Sequence, residues 1–291
     1  MARKTPATYF NLNTEVNNNM SQTKIGIDAG GTLIKIAYPE NERIHYQSFP
    51  SRAMDDVVSW ITNHFENPAI CITGGKSHAL VERLDVSAKS VVEFDATTKG
   101  IAYLADQENR PLDDHFLFVN VGTGTSIHYV NDGKQERVGG SGIGGGTLLG
   151  LAHLTTGMKD YETIIQTAGD GNRENVDLKV KDIFEGAVPP ISGDLTASNF
   201  GKTETMIEQP PSEPDILASI IGLIGEVIVT ISSQLAVQYN TETIVYIGSS
   251  FRSNPLLQEI IETYTRMIGK EPVFLQNGEY SGAVGALLAI D

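Results

Sequence analysis

Cysteine occurs once in the 291 residues, at Cys71. A single thiol excludes an intramolecular disulfide framework and any zinc or iron–sulfur site that draws several cysteines from one chain. Even a four-cysteine cluster shared by two subunits would need two from each. Cys71 lies in the apolar run AICITGG, where a buried strand thiol is expected. Basic residues are scarce as well: 21 Lys and Arg stand against 36 Asp and Glu, a formal net charge of -15. That balance excludes nucleic acid and anionic membrane surfaces as partners, since both demand a basic footprint. Any anion bound here must therefore be held by local donors. His, Cys and carboxylates nowhere fall at the spacing of a metal cluster, so no zinc is expected. Apolar runs are short too. The longest, ILASIIGLIGEVIVTI at 216–231, falls short of a bilayer span and carries Glu226. It predicts a buried helix in a cytoplasmic protein. The opening MARKTPATYFNLNTEVNNNM has a basic start but no apolar core of signal-peptide length, so residues 1–19 are expected to be a disordered leader, and Met20 reads as a natural start.

The familiar nucleotide signatures are missing: there is no GxxxxGK[ST], and no glycine turn of dinucleotide type runs from strand directly into helix. In their place stands KIGIDAGGTLIKIAY at 24–38, an apolar strand that ends in an acid, turns through Gly30, Gly31 and Thr32, and leaves as a second strand. Glycines let the main chain come close to a polyphosphate, and successive N–H groups with a threonine hydroxyl donate to its oxygens. Asp28 at the strand end is placed to hold Mg²⁺ through water, as that ion commonly takes one or two carboxylates and keeps several waters. The cue recurs in FLFVNVGTGTSIHYV at 116–130, with Asn120 in the place of Asp28 and Gly122 in that of Gly30. Two such hairpins predict two related half-domains.

Between them, Met54, Val57, Val58, Ile61 and Phe65 recur at helical spacing, AICITGG reads as a buried strand, VVEFDA at 91–96 as a strand edge or loop, and 97–107 as a helix. The polar stretch DQENRPLDD at 106–114 marks a hinge. The half-domains are accordingly expected over 20–115 and 116–291. In the second, GGSGIGGGTLLG at 139–150 feeds a helix whose N-terminus offers aligned N–H donors suited to phosphate. Residues 154–212 are polar and loop-rich, 214–239 a long helix, TIVYIGSSF a strand with a small-residue turn, and Asn254–Pro255 a helix start. Alternating sheet and helix in both halves predicts a two-domain α/β fold with a central cleft.

The ordered set DAGGTLIK, VEFDA, NVGTGTS, RVGG with GGGT, GDLTASNFG, YIGSS and NGEYSGAVGA resembles the bacterial type II pantothenate kinases, within the acetate and sugar kinase, heat-shock chaperone and actin ATPase superfamily, over about residues 24–291. The resemblance implies two actin-like ATPase half-domains with ATP in the cleft. It implies transfer of phosphate to the primary alcohol of pantothenate, giving 4′-phosphopantothenate at the first step of coenzyme A synthesis. ATP contacts are implied at Gly30, Gly31, Thr32, Leu33, Ile34, Lys35, Ile36 and Ala37, and at Gly122, Thr123 and Gly124. Further contacts are implied at Gly145, Gly146, Thr147, Leu148, Leu149, Tyr161 and Ser249. Glu93 matches the general base and Arg137 the arginine that grips substrate; Thr196 and Tyr264 fall where a partner subunit of a homodimer closes the pantothenate pocket. The chemistry agrees: phosphoryl transfer needs mainly positioning and charge stabilisation, and the alcohol needs a proton acceptor. Glu93 lies in an apolar run where burial raises its pKa, and Asp95, on the same face if 91–96 is a strand, is the rival base. Glu226 and His128 are expected to be structural. Rival readings are a sugar kinase of the same superfamily, which generally uses an aspartate base, and an ATPase switch without an acceptor pocket. An activator of radical dehydratases would need cysteines that this chain lacks.

Overall fold

Two five-stranded sheets repeat one topology in a computed structural model that describes residues 22–84 and 86–290. The leader expected over 1–19 lies outside the described residues. In the first sheet β1 (Lys24–Ala29), β2 (Leu33–Glu40) and β3 (Arg43–Pro50) follow one another antiparallel. Helix α1 (Met54–His64) then crosses over to β4 (Ala69–Thr73), which pairs parallel with the far side of β1. Past a short α2 (Ser77–Val81), β5 (Ala88–Ser90) pairs parallel with β4, giving the order β3-β2-β1-β4-β5. Antiparallel neighbours need only a tight turn, whereas parallel ones need a crossover, and the apolar spacing of α1 supplies it by burying Val57 and Ile61.

Helix α3 (Glu93–Gln107) leads to the second sheet, where β6 (His115–Val121), β7 (Thr125–Asn131) and β8 (Lys134–Ser141) are again successively antiparallel. The chain continues through α4 (Gly145–Thr156), α5 (Tyr161–Gly169), a 3₁₀ turn at Arg173–Asn175, β9 (Leu178–Lys179), α6 (Val180–Ile183), β10 (Thr196–Ser198) and α7 (Thr203–Glu208). The polar stretch 154–212 thus holds short elements rather than one long loop. Helix α8 (Glu213–Gln238) is long and apolar enough to cross a membrane, but two thirds of its apolar window is buried in the core. Strand β11 (Thr243–Ile247), α9 (Pro255–Met267), β12 (Glu271–Phe274) and α10 (Ser281–Leu287) complete the chain, with sheet order β12-β11-β6-β7-β8. Strands β11 and β6, and β11 and β12, pair parallel, so each sheet carries the same hairpin–hairpin–parallel–parallel pattern.

Two findings depart from the sequence reading. Glu93 and Asp95 lie in the first turn of α3, not on a strand. Val92 is extended and both acids complement the positive end of the helix, while Ala96, Ile101 and Leu104 bury one side. Residues two apart on a helix lie about 200° apart around its axis, so Asp95 does not share a face with Glu93. Second, the half-domain expected over 116–291 does not close on itself, because α10 crosses back to pack on α3 and β1. Together α3 and α10 fill the space between the sheets: one core contains Ile101, Leu104, Val284 and Leu287 with Ala37 of the first sheet and Phe118 and Val245 of the second. Small residues make the crossing tight. A Cβ at Gly285 would stand 1.7 Å from the Ala96 carbonyl oxygen, and one at Gly100 1.9 Å from that of Ser281.

Candidate active site

Both hairpin turns open onto one cleft of about 300 Å³, lined by Asp28, Gly30, Gly31, Thr32, Leu33, Lys35, Glu93, Gly122, Thr123, Gly124 and Ser249. Asn120, Thr125, Ser126 and Ser141 share its walls. Of these four, Asn120 is flagged in sequence by its place opposite Asp28 in the repeat; the others carry no signal beyond lying on strands next to the turn.

The two turns are braced alike. Ser51 donates its Oγ to the Gly30 carbonyl at 2.7 Å and its N–H to the Thr32 carbonyl at 2.8 Å. A trans peptide points its N–H opposite its carbonyl, so the amides of Gly31 and Leu33 face away from Ser51. In the second turn the Gly122 carbonyl accepts from Gly145 N–H at 2.8 Å and Ser250 Oγ at 3.1 Å, and the Thr123 carbonyl from Gly146 N–H at 2.8 Å. The amides of Thr123 and Gly124 therefore face away from α4. This corrects the expectation for the glycine run: the Gly145 and Gly146 amides hold the loop, and are not aligned donors left for phosphate. Glycine is required there, since a Cβ at Gly146 would lie 2.9 Å from the Thr123 carbonyl oxygen.

Other implied contacts divide by side-chain placement. Ile34, Ile36, Ala37 and Leu148 are buried in the cores, and Leu149 packs against one. Thr147 spends its hydroxyl on the Gly142 carbonyl. The side chains of Ile34, Ile36, Ala37 and Leu148 are therefore not presented to a nucleotide in the cleft. Tyr161 donates to the Ser250 carbonyl at 2.7 Å, and burial pushes its phenol up to about 12, so it stays neutral and fixes the residue that braces Gly122.

Lys35 lies opposite Asp28 in the β1–β2 register, and its ammonium is 3.5 Å from the Asp28 carboxylate. Glu93 enters the same cavity from the first turn of α3. Burial raises its pKa, the charge of Asp28 raises it further, and Lys35 opposes both. Two facing carboxylates beside a glycine turn suit a hydrated Mg²⁺, although among the described residues no group of three or more His, Cys, Asp or Glu forms a metal cluster. Thr32 and Thr123 touch across the cleft through their hydroxyls at 2.6 Å.

Arg137 does not line this cavity. It is exposed on β8, which packs against α3, and its guanidinium lies over Gly140. His128 opposite it is buried between the rings of Phe94 and Phe118, and burial lowers its pKa, consistent with a structural role. Thr196 and Tyr264 line a different cavity of about 630 Å³ between α6, α8 and α9, with no residue in common with the cleft.

Paired sheets of this topology with turns meeting over a cleft define a two-domain α/β protein of the actin-like ATPase and sugar-kinase type. Solved structures of low identity agree on the fold. Component A of the Acidaminococcus fermentans (R)-2-hydroxyglutaryl-CoA dehydratase aligns with TM-score 0.62 at 15% identity, covering 92% of this chain and 97% of that one. A ROK family glucokinase from Streptomyces griseus, in complex with glucose and AMPPNP, aligns with TM-score 0.55 at 13% identity, covering 91% and 98%. Sequence comparison narrows the class. The Fumble family model matches residues 39–289. A type II pantothenate kinase from Staphylococcus saprophyticus is 44% identical over 264 residues, 91% of this chain and 99% of that protein. The chain belongs to the type II pantothenate kinase family.

Proposed function

We propose that this enzyme transfers the γ-phosphoryl group of ATP to the primary alcohol of pantothenate, yielding ADP and 4′-phosphopantothenate in the cytoplasm. The observation that carries the reading is the convergence, in one cleft, of two braced glycine turns, one lysine and a carboxylate of raised proton affinity. Amides of the turns and the Thr32 and Thr123 hydroxyls bind the phosphate chain, and Lys35 exchanges Asp28 for a phosphate oxygen. Mg²⁺, held through water by Asp28, supplies positive charge to the phosphates when bound. The substrate oxygen forms its bond to the γ-phosphorus as the bond to ADP breaks, and its proton passes to the Glu93 carboxylate. Raised basicity suits Glu93 to that transfer. Positioning and charge stabilisation supply most of the remaining acceleration.

Arg137, on the strand beside α3, grips the hydroxylated or carboxylate end of pantothenate through its paired donors. Thr196 and Tyr264 lie on a wall separate from the cleft. That separation supports a homodimer in which each pantothenate meets the Glu93 of one subunit and the Tyr264 of the other. The test is ADP release with Mg-ATP against pantothenate, N-acetylglucosamine, N-acetylmannosamine, glucose and no acceptor. Turnover with pantothenate alone is expected. Turnover with a sugar, or release that ignores the acceptor, would overturn the reading.

A further inference from the structure

Beside Thr196 and Tyr264, and lining the same cavity, sits Glu226, a carboxylate in the middle of the apolar helix α8. Its Oε1 accepts from Arg173 Nη2 at 2.6 Å, Thr196 Oγ1 at 2.8 Å and Tyr264 OH at 3.3 Å, and its Oε2 accepts from Asn199 Nδ2 at 3.0 Å. Arg173 also donates Nε to Asp177 at 2.9 Å, and Asp177 holds the Phe200 N–H at 2.9 Å. The cluster thus ties GDLTASNFG to α8 and α9. Burial works to raise the Glu226 pKa, but the Arg173 bond and charge outweigh it and the carboxyl stays ionised.

Proton counting decides what the wall can offer. A hydroxyl has one proton to give and two lone pairs to accept with. Thr196 gives its proton to Glu226 and accepts from Lys179 Nζ at 3.0 Å and from Arg173 Nη2 at 3.4 Å. Its oxygen also stands beside that of Tyr264, but the carboxylate is the stronger acceptor. Thr196 is therefore saturated and has nothing left for a ligand. Tyr264 also gives its proton to Glu226, which leaves its phenol oxygen free only to accept.

We propose that Glu226 is the positioning residue that sets the polarity of the substrate pocket: by taking the Tyr264 proton it makes that phenol an acceptor, which selects a substrate presenting an N–H or O–H at this wall. This rests on the reading above, that pantothenate reaches Tyr264 of the partner subunit; with the primary alcohol at Glu93 and Arg137 on the hydroxylated or carboxylate end, we assign the amide N–H to this wall. A pantothenate ester, with oxygen in place of the amide nitrogen, offers no proton and leaves two oxygens facing each other.

The experiment compares pantothenate with that ester in wild type, Glu226→Gln, Tyr264→Phe and the double variant, with KM for ATP and thermal melting measured alongside. Wild type is expected to favour the amide about tenfold in kcat/KM, the value of one hydrogen bond. An uncharged glutamine is a weaker acceptor than the carboxylate, so it loosens its hold on the phenol proton, which turns toward the pocket. Glu226→Gln should then raise KM for pantothenate about tenfold. The amide preference should collapse toward one, with kcat and KM for ATP within about twofold. Tyr264→Phe should lose the preference equally, and the double variant should lose nothing more. If Tyr264→Phe alters pantothenate kinetics but Glu226→Gln keeps the amide preference, the polarity role is overturned and the pocket reading stands. Equal losses in kcat and both KM values, additive in the double variant, would reduce Glu226 to a folding residue and overturn the proposal. Unchanged pantothenate kinetics in Tyr264→Phe would remove the pocket reading itself. Should Glu226→Gln not fold, the amide preference in Tyr264→Phe still decides: its persistence overturns the proposal.

Discussion

Replacing Gly285 by alanine tests whether α10 positions Glu93, the carboxylate proposed as general base. The added Cβ would start 1.7 Å from the Ala96 carbonyl oxygen, where real Cβ contacts essentially never fall below 3.0 Å, so α3 and α10 must separate by about 1.3 Å. Helix α10 has no room to retreat, because on its other side Gly26 of β1 packs so closely that a Cβ there would lie 2.1 Å from the Ala283 carbonyl oxygen. The first turn of α3 must therefore move, and it carries Glu93. Overpacking of this kind costs about 1–3 kcal/mol, which lowers Tm by several degrees in a protein of this size. A displacement of about 1 Å at a reacting group costs on the order of 10²-fold in turnover. The assay is pantothenate-dependent ADP release with a melting curve, beside Gly150→Ala, whose Cβ meets nothing within 4 Å. A Gly285→Ala protein with reduced Tm but normal kcat would refute the link between this helix crossing and Glu93.

Glu93→Gln is expected to lower kcat by about 10²–10⁴ with little change in ATP affinity. Because the folded-state pKa of Glu93 is raised, its proton stabilises the fold below the ordinary carboxyl range, and that stability is lost as pH rises through the raised value. The variant should therefore melt higher than wild type at neutral pH, with the gap closing in acid, and a lower Tm at neutral pH would contradict the assignment. The same proton gives wild-type turnover an acid limb centred above the ordinary glutamate value of 4.5, seen in a pH–rate profile and absent from Glu93→Gln. Lys35→Ala should raise KM for ATP more than KM for pantothenate, and unchanged ATP kinetics would remove it from the phosphates. Arg137→Ala should show the opposite split, and a loss confined to ATP would take it out of the substrate site.

The cleft between the two glycine turns was legible because its signal is local. A strand, an acid, a glycine turn and a second strand form within fifteen residues, and the second copy fixes the topology of both sheets. Where meaning depends on distant partners, the sequence is silent. Glu226 reads as a stray carboxylate in an apolar helix, because Arg173, Thr196 with Asn199, and Tyr264 come from three other segments. VVEFDA looks like a strand because its β-branched and aromatic residues mask two acids at a helix N-terminus. The run GGGT predicts an anion site by its glycines alone, whereas its Gly145 and Gly146 amides are spent on the Gly122 and Thr123 carbonyls. Small residues in SGAVGA announce close packing but not against what, and so the return of α10 to the first sheet was not foreseen.

That return also has a consequence for synthesis. During translation β1 emerges about 250 residues before the helix that covers it, a delay of roughly 12–50 s at 5–20 residues per second. Through that interval Gly26 and the small-residue side of α3 face solvent or a chaperone, and the nascent first domain cannot reach its final packing. The second sheet waits with it, because its Phe118 and Val245 share the core that α10 completes. Final packing of both domains should therefore follow the emergence of Ser281–Leu287, and a ribosome-stalled chain ending before Ser281 should leave strands of both sheets open to protease.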